Sequence, residues 1–154
     1  MTKPNFTSIN VVLDKSGSMA SVMSDTIGGF NTFIADQKTE KGEAVFTLVT
    51  FNDEISRIYD FVPLKEVSDI SARSYRPAGS TALLDALGET IDRVGVKLSS
   101  MKEEERPEKV IFVVMTDGQE NASKKYNKSK VMSMIEHQKS KYNWEFVFMG
   151  TDAA

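Results

Sequence analysis

Five oxygen-bearing side chains in this sequence could act on one ligand. Asp14, Ser16 and Ser18 stand at alternate positions in "VVLDKSGSM", where an apolar run stops at a carboxylate. Residues two apart in extended chain point to the same side, so these three oxygens can converge as a strand exits. Thr81, in "PAGSTALLD", precedes a helical pattern, and Asp117, in "MTDGQEN", closes another apolar run. The set offers two ionised carboxylates and three hydroxyls, with no nitrogen or sulfur, which suits a hard cation. Small hydroxyls and few carboxylates favour Mg2+, with Mn2+ acceptable and Ca2+ a weaker option. Two carboxylates balance a divalent charge, and an open coordination position would accept a carboxylate from outside. Each loop also has an ordinary explanation. Ser16, Ser18 and Thr81 are good helix N-caps, and Asp117-Gly118 is a good turn.

The elements around these loops decide between the two explanations. "INVVL" (9–13), "AVFTLVTF" (44–51), "KVIFVVMT" (109–116) and "WEFVFMG" (144–150) read as strands buried on both faces of a parallel sheet. "ISRIYDFV" (55–62), more polar and separated from its predecessor by "NDE", reads as an antiparallel edge strand closing a hairpin. Between strands, Met19, Val22, Met23, Thr26, Ile27, Phe30, Phe33 and Ile34 make one apolar stripe at helical spacing. Leu84, Leu87, Ile91, Val94, Leu98 and Met101 make a second, and Val131, Met134, Ile135 and Gln138 a weaker third. The expected fold is α/β: a doubly wound, mostly parallel sheet with one antiparallel edge strand and helices on both faces. Such sheets bind ligands beyond the carboxyl ends of their strands, which is where all three loops fall. Their convergence at one rim favours function over capping.

Composition removes other classes. The chain has 154 residues, expected to form a single domain over 1–154, and no cysteine, so thiolate chemistry and disulfides are absent. A net charge of −3 argues against nucleic acid as a partner. No apolar run approaches the ~20 residues of a membrane span, and "MTKPNFTSIN" lacks a signal-peptide core, so a cytoplasmic protein is expected. There is no P-loop and no GxGxxG fingerprint. His137, the one histidine, is expected on a helix away from the rim, which leaves no Ser-His-Asp triad. Trp144, Phe146 and Phe148 share a strand face and are expected in the core, as are Met19, Met23, Met115, Met132, Met134 and Met149.

The three loops resemble the metal-ion-dependent adhesion site of the von Willebrand factor type A family. Its Asp-x-Ser-x-Ser, distant threonine and distant aspartate read here as "DKSGS", "GST" and "TDG", in the family's chain order. The wording of "DKSGSM", "GGFNTFI", "TDGQEN" and "WEFVFMG" is closest to intracellular bacterial and phage members. The resemblance implies that Asp14, Ser16, Ser18 and Thr81 ligate a metal, with Asp117 bound directly or through water. In the family the metal commonly takes an aspartate or glutamate of a protein partner. No base or nucleophile stands beside the expected site, so a non-enzymatic domain is expected, as a monomer or weak homodimer. Family members usually follow the last strand with another helix, whereas this sequence stops at "GTDAA".

Two rivals remain. A Mg2+-dependent phosphohydrolase of haloacid dehalogenase type would want a second aspartate where Ser16 stands, and serine cannot do acid chemistry near neutral pH. A purely structural interaction domain would bind its partner without metal. Charge is unevenly placed. "KEEERPE" (102–108) should lie at the rim opposite the loops, and "SKKYNKSK" (123–130) near them, where Lys124, Lys125 and Lys128 could steer an acidic partner.

Overall fold

The computed structural model describes residues 2–116 and 121–150, and Asp117 lies outside them. The strands are β1 (Lys3–Asp14), β2 (Glu43–Phe51), β3 (Ile55–Pro63), β4 (Pro107–Thr116) and β5 (Glu145–Gly150). Three helices separate them: α1 (Met23–Thr39), α2 (Leu83–Ser99) and α3 (Lys128–Tyr142). The sheet order is β3-β2-β1-β4-β5. β1 pairs in parallel with β2 and β4, β5 continues in parallel beyond β4, and among the described strands only β3 runs antiparallel, against β2. The expected doubly wound sheet with one antiparallel edge is what forms. Among the described residues no helix is long and apolar enough to cross a membrane.

Alternation along the strands divides the core in two. Ile9, Val11 and Leu13 of β1 join Phe46, Leu48, Val113 and Met115 beneath Phe30 and Ile34 of α1. Val12, Phe112 and Val114 face the other way, against Leu87, Ile91 and Val94 of α2 and Val131 and Ile135 of α3. Phe112 anchors the second layer, stacking on Trp144 and Phe146 at centroid distances of 5.5 and 5.1 Å.

Several expectations change at the edges of elements. β1 begins at Lys3 rather than Ile9, because β2 and β4 flank it and supply ladder partners beyond its apolar run. A register shift between Lys3 and Thr7, with Asn5 at φ 57°, absorbs the irregularity. Met19 is buried but lies in a 3-10 turn, Gly17–Val22, and Val22 at φ −120° separates that turn from α1. Phe148 is 55% exposed, against the expectation of core: α3 covers the Trp144 end of the edge strand β5 and leaves Phe148 uncovered. Met132 is also exposed, since it sits off the Val131, Met134 and Ile135 stripe.

Candidate functional site

In this strand order the chain leaves β1 in one direction for β2 and later returns on its other side for β4. The carboxyl ends of β1 and β4 therefore flank a switch point, the usual ligand crevice of such sheets. Asp14 ends β1 and Thr116 ends β4, and Leu13 pairs with Met115, which sets Asp14 beside Thr116.

Asp14 has no exposed surface. Its Oδ1 accepts a hydrogen bond from Ser16 N at 2.8 Å and its Oδ2 from Thr116 Oγ1 at 2.7 Å. The Tyr75 hydroxyl donates to the Asp14 carbonyl oxygen. Among the described residues no lysine or arginine pairs with the carboxylate. A buried carboxylate with hydrogen bonds but no counter-charge is costly, and a cation would relieve it. Ser16 Oγ and Ser18 Oγ lie 3.2 Å apart, close to the roughly 3 Å between adjacent oxygens around a cation held at about 2.1 Å. Asp14 and Ser16 are buried, while Ser18 is exposed at the mouth. The residues present thus fit a hard cation in type and spacing.

The capping alternative fails for two of the three hydroxyls. Ser16 occupies the N-cap of the 3-10 turn, yet its side chain makes no capping bond. Thr81 precedes the N-cap of α2, which is Ala82. Thr81 is buried at the rim because its loop is laced to the first one: Ala78 N donates to Lys15 O at 2.8 Å and Gly17 N to Gly79 O at 2.9 Å. Gly79 is required here. It has φ 85°, and a Cβ would come within 2.4 Å of Asp53 Oδ1. Asn52 Nδ2 holds the same loop through Ala78 O at 2.9 Å. Asp14, Ser16, Ser18 and the Thr81 loop are therefore assembled at one rim, and Asp117 is outside the described residues.

The residues that support the site carry little local signal in the sequence. Thr116 orients Asp14, and only the strand order places it there. Tyr75 and Asn121 have no local signature; Asn121 Oδ1 accepts from Thr81 N at 2.8 Å. Asp85 lacks a local signature too, yet its carboxylate accepts from the backbone N–H groups of Lys124, Lys125 and Tyr126. Burial works to raise its pKa, and these backbone bonds together with the nearby Lys125 charge outweigh burial, leaving it below the usual carboxylate range. Tyr126 donates its hydroxyl to Asp92 at 2.7 Å, and that bond, aided by burial, pushes its pKa up to about 12.

Clefts of about 530 Å3 between β3 and α2 and about 520 Å3 between α2 and α3 lie away from this rim. Their walls mix apolar residues with charges, and Arg57 and Glu89 in the first pair with each other at 3.4 Å. His137 lies on the exposed side of α3, with its ring edge-on to Tyr142, remote from the converging loops.

A doubly wound, mostly parallel sheet with helices on both faces defines a Rossmann-like α/β fold. This chain belongs to the von Willebrand factor type A domain family, whose pattern matches residues 8–153. Among solved structures it is similar to a von Willebrand factor type A protein from Catenulispora acidiphila, with TM-score 0.62 and 14% identity over 94% of this chain and 33% of that one. A mutant of the PilB minor pilin from Streptococcus sanguinis gives TM-score 0.65 and 14% identity over 96% of this chain and 51% of that one. Proximal thread matrix protein 1 of the mussel byssus gives 0.58 and 19% over 94% and 35%. These likenesses show the fold, and the chain spans about a third to a half of those proteins' length. No curated protein matches the sequence.

Proposed function

We propose that the chain is a cation-dependent protein-binding module. Asp14, Ser16, Ser18 and Thr81, together with Asp117, would hold Mg2+ at the carboxyl rim, and an aspartate or glutamate of a protein partner would complete its coordination. The bound cation would supply an electrophilic centre that a carboxylate can join. The observation that carries the reading is Asp14: buried, ionisable, without an ion-pair partner among the described residues, and beside two serine hydroxyls 3.2 Å apart. Family membership supports it, because domains of this family are generally interaction or adhesion modules.

This chain's residues divide the work. Ser16 N and Thr116 Oγ1 fix the two carboxylate oxygens of Asp14, and the Tyr75 hydroxyl fixes the backbone beneath it. The Ala78 and Gly17 bonds set the Thr81 loop against the first loop. The buried floor of Asp14, Ser16 and Thr81 keeps water from competing on one side, and exposed Ser18 marks where a partner would approach. The chain's one histidine lies elsewhere, so a binding role rather than acid–base turnover is the better reading. The test is binding of a short glutamate-bearing peptide with Mg2+, then with EDTA. Mg2+-dependent binding that EDTA reverses, absent for the same peptide with glutamine, is expected. Binding indifferent to EDTA would replace this reading with a metal-independent interaction domain.

A further inference from the structure

We infer that the partner presents an acidic segment rather than a lone carboxylate, and that a lysine loop fastened by Asp85 reads the charges flanking the anchoring residue. The central carboxylate rests on the cation-binding reading above; the loop rests on its own geometry.

Asp85 lies in the first turn of α2, four residues after Thr81. It accepts from Lys124 N at 2.8 Å, Lys125 N at 2.9 Å and Tyr126 N at 2.8 Å. Its own N–H donates to Ser123 Oγ at 2.9 Å. The start of the loop is tied to the rim itself, since Asn121 N and Ala122 N both donate to Thr81 O at 2.9 Å. Its end is pressed onto α2, where the Tyr126 ring lies so close to Gly88 that a Cβ there would come within 2.4 Å. Lys130 Nζ sits 4.9 Å from that ring centroid.

Residues 121–126 are thus held at both ends and in the middle, starting from the loop that carries Thr81. Lys124, Lys125 and Lys128 are exposed, and none makes an ion pair among the described residues. A charged loop whose backbone is already ordered loses less entropy on binding, and like charges gathered at one edge steer an oppositely charged partner. Charge complementarity favours an acidic polypeptide over an extended polyanion. The chain is net −3, and Glu89 and Asp92 of α2 lie beside Tyr126, where a nucleic-acid backbone would meet them. A short acidic segment anchored at the cation reaches the lysines without running along that acidic flank. Asp85 is a positioning residue in this scheme and does not itself meet the partner.

The experiment measures three probes: a peptide with one glutamate among serines and glycines, the same peptide with acidic residues flanking that glutamate, and an oligothymidylate. Each is titrated in Mg2+ and in EDTA, at low and at physiological salt. The wild type should favour the polyacidic peptide by about tenfold or more at low salt. The combined Lys124→Gln, Lys125→Gln and Lys128→Gln variant should lose that preference and bind the single-glutamate peptide as before. Asp85→Ala, which keeps every lysine, should lose part of the preference and of its salt dependence while still melting cooperatively. If Asp85→Ala does not fold, the lysine variant, altered only at exposed positions, decides the matter. A wild type without the preference, a lysine variant that keeps it, or tighter binding of the oligothymidylate would overturn the inference. Should neither peptide respond to Mg2+, the cation reading fails alone, and the preference measured in EDTA still decides the role of the loop.

Discussion

Asp14 shows how one residue carries the account. Its type and its spacing to Ser16 and Ser18 were legible in the sequence, because alternation in extended chain is a local property. Its burial and its bond from Thr116 were not, since Thr116 is 102 residues away and becomes a neighbour only through the pairing of β1 with β4. That bond yields a prediction at the same scale. Thr116→Val keeps the shape and removes the donor, so Asp14 Oδ2 loses its orienting partner. Loss of a hydrogen bond that orients a metal ligand typically costs about 10–100-fold in metal affinity, and a fall of at least about tenfold in Mg2+ affinity is expected by calorimetry. Unchanged affinity would mean that Asp14 is held by the loop backbone alone.

Among elements, the central strands were readable as continuous apolar runs and the helices from their period, because the strands are buried on both faces and each helix buries one. Tertiary neighbours decided their ends: β1 gained residues from partners on both sides, while Phe148, under strict alternation a core residue, was left exposed by the reach of α3. The packing of the lysine loop on α2 was invisible for a similar reason, as Asp85 and its three backbone partners lie 39 to 41 residues apart. Gly88 tests that packing. In an open helix position Gly→Ala stabilises by about 0.5–1 kcal/mol. Here the new Cβ would meet the Tyr126 ring at 2.4 Å, and overpacking of that kind costs about 1–3 kcal/mol. Gly88→Ala should therefore lower the urea midpoint. A raised midpoint would show that the ring moves aside freely.

For the whole molecule, charge is sorted between the two ends of the sheet. The acidic turn Glu103–Glu105 precedes β4 at the amino rim, and the lysine loop sits at the carboxyl rim with Thr81. That sorting was legible once strand direction was assumed, whereas the Asp85 clamp that holds it was not. The clamp has a consequence for acid stability. The folded-state pKa of Asp85 is depressed below the ordinary 3.8, so its contribution is present above that value and is lost as pH falls through the lower folded value. Asp85→Asn should accordingly be less stable than wild type at neutral pH, with the gap narrowing in acid melts below pH 3.8. The central claim, a cation held by Asp14 and its neighbours, is tested most directly by calorimetric titration of Mg2+ into metal-stripped wild type and Asp14→Ala, with thermal melts alongside. A ligand that binds only the folded state raises its stability by mass action. Saturable binding with a raised melting temperature in wild type, both lost in a still-folded Asp14→Ala, is the predicted result. Equal Mg2+ binding by the two proteins, or none by the wild type at millimolar Mg2+ even with the glutamate-bearing peptide present, would contradict it.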